Sequence, residues 1–202
     1  MTLRETLPPN QTFEVDSEVQ DKEIVKGFLE RYRYLHEYRI QKLVYITEVV
    51  SVYERGKRLT EFDFKPYLYG AYADNLPQML ERLAEDGEVD TKKDTHHGKK
   101  TTAYMSVDES GKEISATLTD EVGDIIERVH EATKSMSNEE LAKWSKETWL
   151  YQEEGYGKPM DFSRLMQRSE REIEEELKQG FPDLELSPQR GSGGAGSFGT
   201  PS

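Results

Sequence analysis

The chain has 202 residues, with 27 Lys and Arg set against 40 Asp and Glu, and a formal net charge of −13. It contains no cysteine, which excludes disulfides, thiolate zinc centres and thiol nucleophiles. Its overall field repels phosphate, so contact with nucleic acid would need a local basic patch.

Residues 1–19 read as a loose arm. No run approaches the ~20 apolar residues of a membrane span, and residues 1–11 lack the apolar core of a secretory leader; no membrane partner and a cytoplasmic location are expected. Residues 20–38 carry Ile24, Val25, Phe28, Leu29, Tyr32 and Leu35 at helical spacings of three and four. A second helix spans 39–55. Its apolar residues, Ile40, Leu43, Val44, Ile46, Val49, Val50 and Tyr53, occupy most of the circumference, which marks a helix at the centre of its domain. Gly56 ends it.

Residues 59–69 mix Phe62, Phe64, Tyr67 and Tyr69 with Pro66, an extended segment with loop character. Asp74 is placed to cap the next helix, whose buried stripe is Leu76, Met79, Leu80 and Leu83. Residues 89–107 alternate as a β-hairpin with a polar tip. Further helices follow at 118–134, from Ser137, where Glu140 completes a capping box, and at 160–177. Residues 188–202 are rich in Gly and Ser with little to bury, so a disordered tail is expected from residue 180. The fold class expected is mainly α with a small β-hairpin (α+β), comprising a winged-helix-like helical core, a wing hairpin and additional C-terminal helices, in one domain of residues 20–179.

The chemistry that this pattern allows is narrow. The basic cluster in "DTKKDTHHGKKTT" holds Lys92, Lys93, His96, His97, Lys99 and Lys100, candidates for contact with nucleic acid or an acidic partner. The solubility needs of a hairpin tip account for the same charges. Adjacent His96 and His97 point to opposite faces of a strand, which disfavours a shared metal ion. The helix before the wing exposes Gln78, Glu81, Arg82, Glu85 and Asp86, a poor face for phosphates. The chain contains no phosphate-cradling loop, dinucleotide fingerprint or nucleophile elbow. No cofactor, no metal and no catalysis are expected. Tyrosines are dense between residues 32 and 72 and suit a protein interface, with Tyr45 and Tyr69 read as core.

The stretch "IQKLVYITEVVSVYERGKRLTEFDFKPYLYGAYADNLPQMLERL" resembles the signature of the Panacea domain, an antitoxin-like family associated with many unrelated toxins. Gln41, Lys42, Leu43, Tyr45, Gly56, Leu59, Tyr69 and Gly70 fall on its motif positions. Two positions depart from it: Ala71 stands where the family usually has proline, and Trp144-Ser145 where a Thr-His pair is common. The resemblance implies a small, mainly helical protein that neutralises a neighbouring toxin by direct binding. A winged-helix regulator binding operator DNA, and an adaptor that delivers a partner to a protease, remain alternatives.

Overall fold

The computed structural model describes Val15, Asp16 and residues 20–187 except His97. The expected Gly/Ser-rich tail from residue 188 and His97 lie outside the described residues.

Helix α2 (Glu37–Arg55) runs through the middle of the molecule, with every residue from Ile40 to Glu54 buried. A helix apolar on one stripe would lie on the surface; this one is apolar nearly all round and is packed on all sides. Gly56 takes a left-handed φ of 68° and its N–H closes on Val52 O at 3.0 Å, as expected of a helix end.

The first helix is shorter than its periodicity suggests. α1 covers Asp21–Leu29, the chain turns, and Tyr34–His36 form strand β1. Leu35 is buried, but on a strand. Its pairing with a distant segment overrides the local helical spacing, and sequence periodicity carries no record of that partner.

The aromatic segment after α2 is a hairpin rather than a loop. β2 (Phe64–Tyr67) and β3 (Gly70–Ala73) pair antiparallel, Phe64 opposite Ala73 and Tyr67 opposite Gly70, with Leu68 and Tyr69 at the tip. Helix α3 (Asn75–Glu85) follows, burying Leu76, Leu80 and Leu83. Asp74 does not cap it: its carboxylate pairs with Lys65 at 2.5 Å, and its backbone is already helical. The expected wing is present as β4 (Thr91–His96) and β5 (Lys99–Met105), joined by β1 in a sheet of order β1-β5-β4.

Helices α4 (Asp120–Thr133) and α5 (Asn138–Glu147) pack on α2, α4 also against α1 and α5 also against β3, and α6 (Trp149–Glu153) packs on α5 and β2. Ser137 and Glu140 form the expected capping box of α5. The helix expected over 160–177 is broken in two, a 3-10 turn at Phe162–Gln167 and α7 at Glu170–Gly180, because Ser169 and Glu172 make a second capping box that starts a new helix. Packing continues past residue 179, where Phe181 and Leu184 are buried in the same core as Ile24 and Tyr45. At the other end, Val15 bridges to Arg58 and buried Asp16 pairs with Arg55. The chain is thus a mixed helix-and-strand body around α2. No helix among the described residues is long and apolar enough to cross a membrane.

Candidate functional site

A strand with no neighbour leaves backbone donors and acceptors unpaired, which is costly when they are buried. The outer edge of β3 faces α2 and α5, where no strand stands. Side chains take its place. Ala73 is gripped at both backbone groups by Gln41, whose Nε2 donates to Ala73 O at 3.0 Å and whose Oε1 accepts from Ala73 N at 2.9 Å. Lys42 Nζ donates to Ala71 O at 2.5 Å, and Ser145 Oγ of α5 accepts from Ala71 N at 3.2 Å. The outer edge of β2 is sealed by the loop before the 3-10 turn, Gly157 N donating to Pro66 O and Met160 N to Phe64 O. Both edges of this small hairpin are therefore satisfied without a third strand.

This clasp explains several motif positions at once. Gln41 and Lys42, adjacent on α2, address alternate residues of β3. Gly70 has φ +97°, and a Cβ there would sit 2.2 Å from Ser145 Oγ and 3.2 Å from Lys42 Cε. The two departures from the family pattern meet in space: proline at position 71 would have no N–H to satisfy, whereas Ala71 has one, and Ser145 accepts it. Leu43 lies in the core, and buried Tyr45 hydrogen-bonds Thr148 at 2.8 Å, its phenol pushed upward in pKa by burial. Leu59 is buried, and its N–H donates to Glu48 Oε2 at 2.7 Å. The same Glu48 carboxylate accepts from Thr60 N and Thr60 Oγ1, so it fixes the turn between Gly56 and β2. Glu48 was not singled out from sequence, though an acid flanked by Ile46, Val49 and Val50 in the apolar stretch of α2 is the signal that marks it.

Lys42 is 1 % exposed, and among the described residues no carboxylate pairs with its amine. Burial lowers its pKa to about 7, Lys146 adding to the effect and Glu37 opposing it. The Tyr38 ring lies 5.0 Å from Nζ. Above the amine opens a pocket walled by Tyr38, Tyr67, Tyr69 and Tyr72, with Asp74 at its edge.

The hairpin tip is exposed and apolar, with Tyr67 at 39 %, Leu68 at 60 % and Tyr69 at 59 %. Tyr69, read as a core residue from sequence, is on the surface, because a two-residue tip has no layer above it. The tip is nevertheless held. Tyr151 Oη donates to Tyr67 O at 2.7 Å, Tyr38 Oη to Tyr69 O at 3.4 Å, and Tyr156, 69 % exposed, stacks on Tyr67 at 5.2 Å. Large apolar surface on a pre-ordered support is the make-up of an interface anchor.

The wing differs. Lys92, Lys93 and Lys100 are exposed. In register, Lys93 faces Thr102 and Lys100 faces Thr95 on one face of the hairpin, while Lys92 pairs with Ala103 on the other, so the basic residues are divided between two faces. His96 and Lys99 form the last backbone rung. Asp94 lies 3.2 Å from His36 Nε2. Among the described residues, no cluster of three His, Cys, Asp or Glu is placed to hold a metal ion.

A family model described as antitoxin SocA-like, Panacea domain, matches residues 40–150, over half of the chain and covering α2 from Ile40 on, both hairpins and α5. No curated protein and no solved structure matches.

Proposed function

The chain belongs to the SocA-like antitoxin Panacea domain family, and from that premise we propose that it neutralises a cognate toxin by direct, non-catalytic binding, with the β2–β3 tip as its principal contact. The observation that carries this reading is the tip itself. Tyr67, Leu68 and Tyr69 are apolar, exposed and pinned from below by tyrosine hydroxyls, although nothing in the fold of the free protein requires a greasy surface there. Binding energy concentrates in such aromatic anchors. A fixed α2 with an adaptable outer surface is also what a family facing diverse toxins needs.

The order α1-β1-α2-β2-β3-α3-β4-β5, with the short hairpin set between the two helices, and the sheet order β1-β5-β4 support reading the core as winged-helix-like. In a DNA reader of that type the helix before the wing enters the major groove. Here that helix exposes Glu81, Glu85 and Asp86 with Arg82 as its single exposed cation, which favours the protein-binding reading over the operator-binding one.

The test is neutralisation of the toxin encoded beside this gene. Wild type should restore growth and co-elute with the toxin, and Tyr69→Ala with Leu68→Asp should lose both while keeping the native thermal transition. A wild-type protein that neither rescues growth nor co-elutes would end the proposal.

A further inference from the structure

Ala71 O needs one hydrogen-bond donor. An amide supplies one next door, where Gln41 serves Ala73 without any charge. At position 42 the chain uses an amine instead, which when protonated carries three donors and a charge that burial disfavours. One donor reaches Ala71 O. The groups facing the amine are Glu37 and Tyr38 from α2, Lys146 from α5, and Tyr67, Tyr69, Tyr72 and Asp74 from the hairpin. None of the acids closes on it: Glu37 accepts from Tyr72 Oη, and Asp74 is paired with Lys65. The free protein therefore keeps an amine, with donors to spare, under an open pocket with aromatic walls.

We propose that this pocket receives a carboxylate side chain of the partner protein, with Lys42 as its cationic floor and Tyr38, Tyr69 and Tyr72 as its walls. This rests on the toxin-binding reading and adds the chemistry of the contact: an acidic residue on the toxin, set among apolar neighbours that cover the tip. The same arrangement explains the choice of lysine over an amide. The lowered pKa of about 7 lets the amine lie buried without a full charge in the free state, and an arriving anion restores its proton.

Two experiments separate this inference from the reading beneath it. In the first, full-length protein carrying 13Cε-lysine is titrated with sodium acetate, with sodium chloride at equal ionic strength as the control. Acetate should shift the Lys42 resonance saturably and raise its titration midpoint, and Lys42→Met should abolish the response of the Tyr69 ring. Chloride acting equally, no acetate response, or a response to phosphate alone would overturn the assignment to a carboxylate. In the second, toxin affinity is measured against pH. Wild-type binding should weaken as pH rises above neutrality, while folded Lys42→Met should bind about tenfold or more weakly and without that pH dependence, the scale of one charge-assisted hydrogen bond. If Lys42→Met binds toxin as well as wild type does, the inference falls and the toxin-binding reading stands. If wild type binds no toxin, that reading falls, and the acetate titration still judges the pocket.

Discussion

The molecule carries two antiparallel hairpins of opposite build. The β4–β5 wing is long, polar and basic, with lysines that alternate between its faces and touch little. The β2–β3 hairpin has strands of four residues each, yet side chains from α2 and α5 occupy one of its edges and backbone N–H groups of the loop before the 3-10 turn the other. Charge density is conspicuous in a sequence, but a site is recognised by how many independent contacts fix it, and by that measure the short hairpin is the built one.

The tip glycines offer the largest contrast. Gly70 and Gly98 both have positive φ, +97° and +74°, but a Cβ at Gly70 would collide with Ser145 Oγ whereas a Cβ at Gly98 would meet nothing within 4 Å. Gly98→Ala should cost only the left-handed backbone term, about 1–2 kcal/mol. Gly70→Ala adds overpacking to it, for roughly 2–5 kcal/mol by chemical denaturation. Equal costs would mean that the clasp around Gly70 is loose.

Next is Gln41→Ala, which leaves both backbone groups of Ala73 buried without partners. At about 1–2 kcal/mol for each group, the lower part of the range for an orphaned donor or acceptor, a loss of roughly 2–4 kcal/mol is expected. Lys93→Ala, which removes an exposed bond to Thr102 in the other hairpin, should change stability by less than about 0.5 kcal/mol.

Lys42 tests the same contrast through pH. Its folded pKa of about 7 lies below the 10.5 of an ordinary lysine, so between those two the unfolded chain binds more protons than the folded one. Stability attributable to this group is therefore lowest at and below neutrality and rises as pH climbs toward 10, by at most about 1.4 kcal/mol per unit. Subtracting the Lys42→Met profile from that of wild type isolates this slope from the other titrating groups. A flat difference would show an amine that stays fully solvated.

These contrasts also mark what could be read from the residues alone. α2 was legible because its apolar residues surround the axis, and the wing because it alternates. The end of α1 was not: Tyr32 and Leu35 keep a helical spacing while the backbone leaves the helix to pair with β5, a partner no local window contains. The β2–β3 hairpin escaped notice for the same reason, since what stabilises it is Gln41, Lys42 and Ser145 reaching in from helices. Motif positions could be matched without revealing that Gln41 and Lys42 act as a substitute strand. The break before α7 was readable in principle, because Ser169 and Glu172 repeat the Ser137 and Glu140 signature.

A pair of neighbouring substitutions tests the family comparison rather than the fold. Ser145→Ala removes the acceptor for Ala71 N and should cost about 1 kcal/mol, the price of one buried backbone donor left unpaired. In an Ala71→Pro background that donor no longer exists, so the same Ser145→Ala change should cost about 1 kcal/mol less, its own bond to Ala142 O being lost in both backgrounds. The double-mutant cycle, read from denaturation midpoints, should therefore return a coupling of about 1 kcal/mol between two residues far apart in sequence. Additive costs would mean that Ala71 and Ser145 are independent substitutions, and that the clasp tolerates an unsatisfied edge.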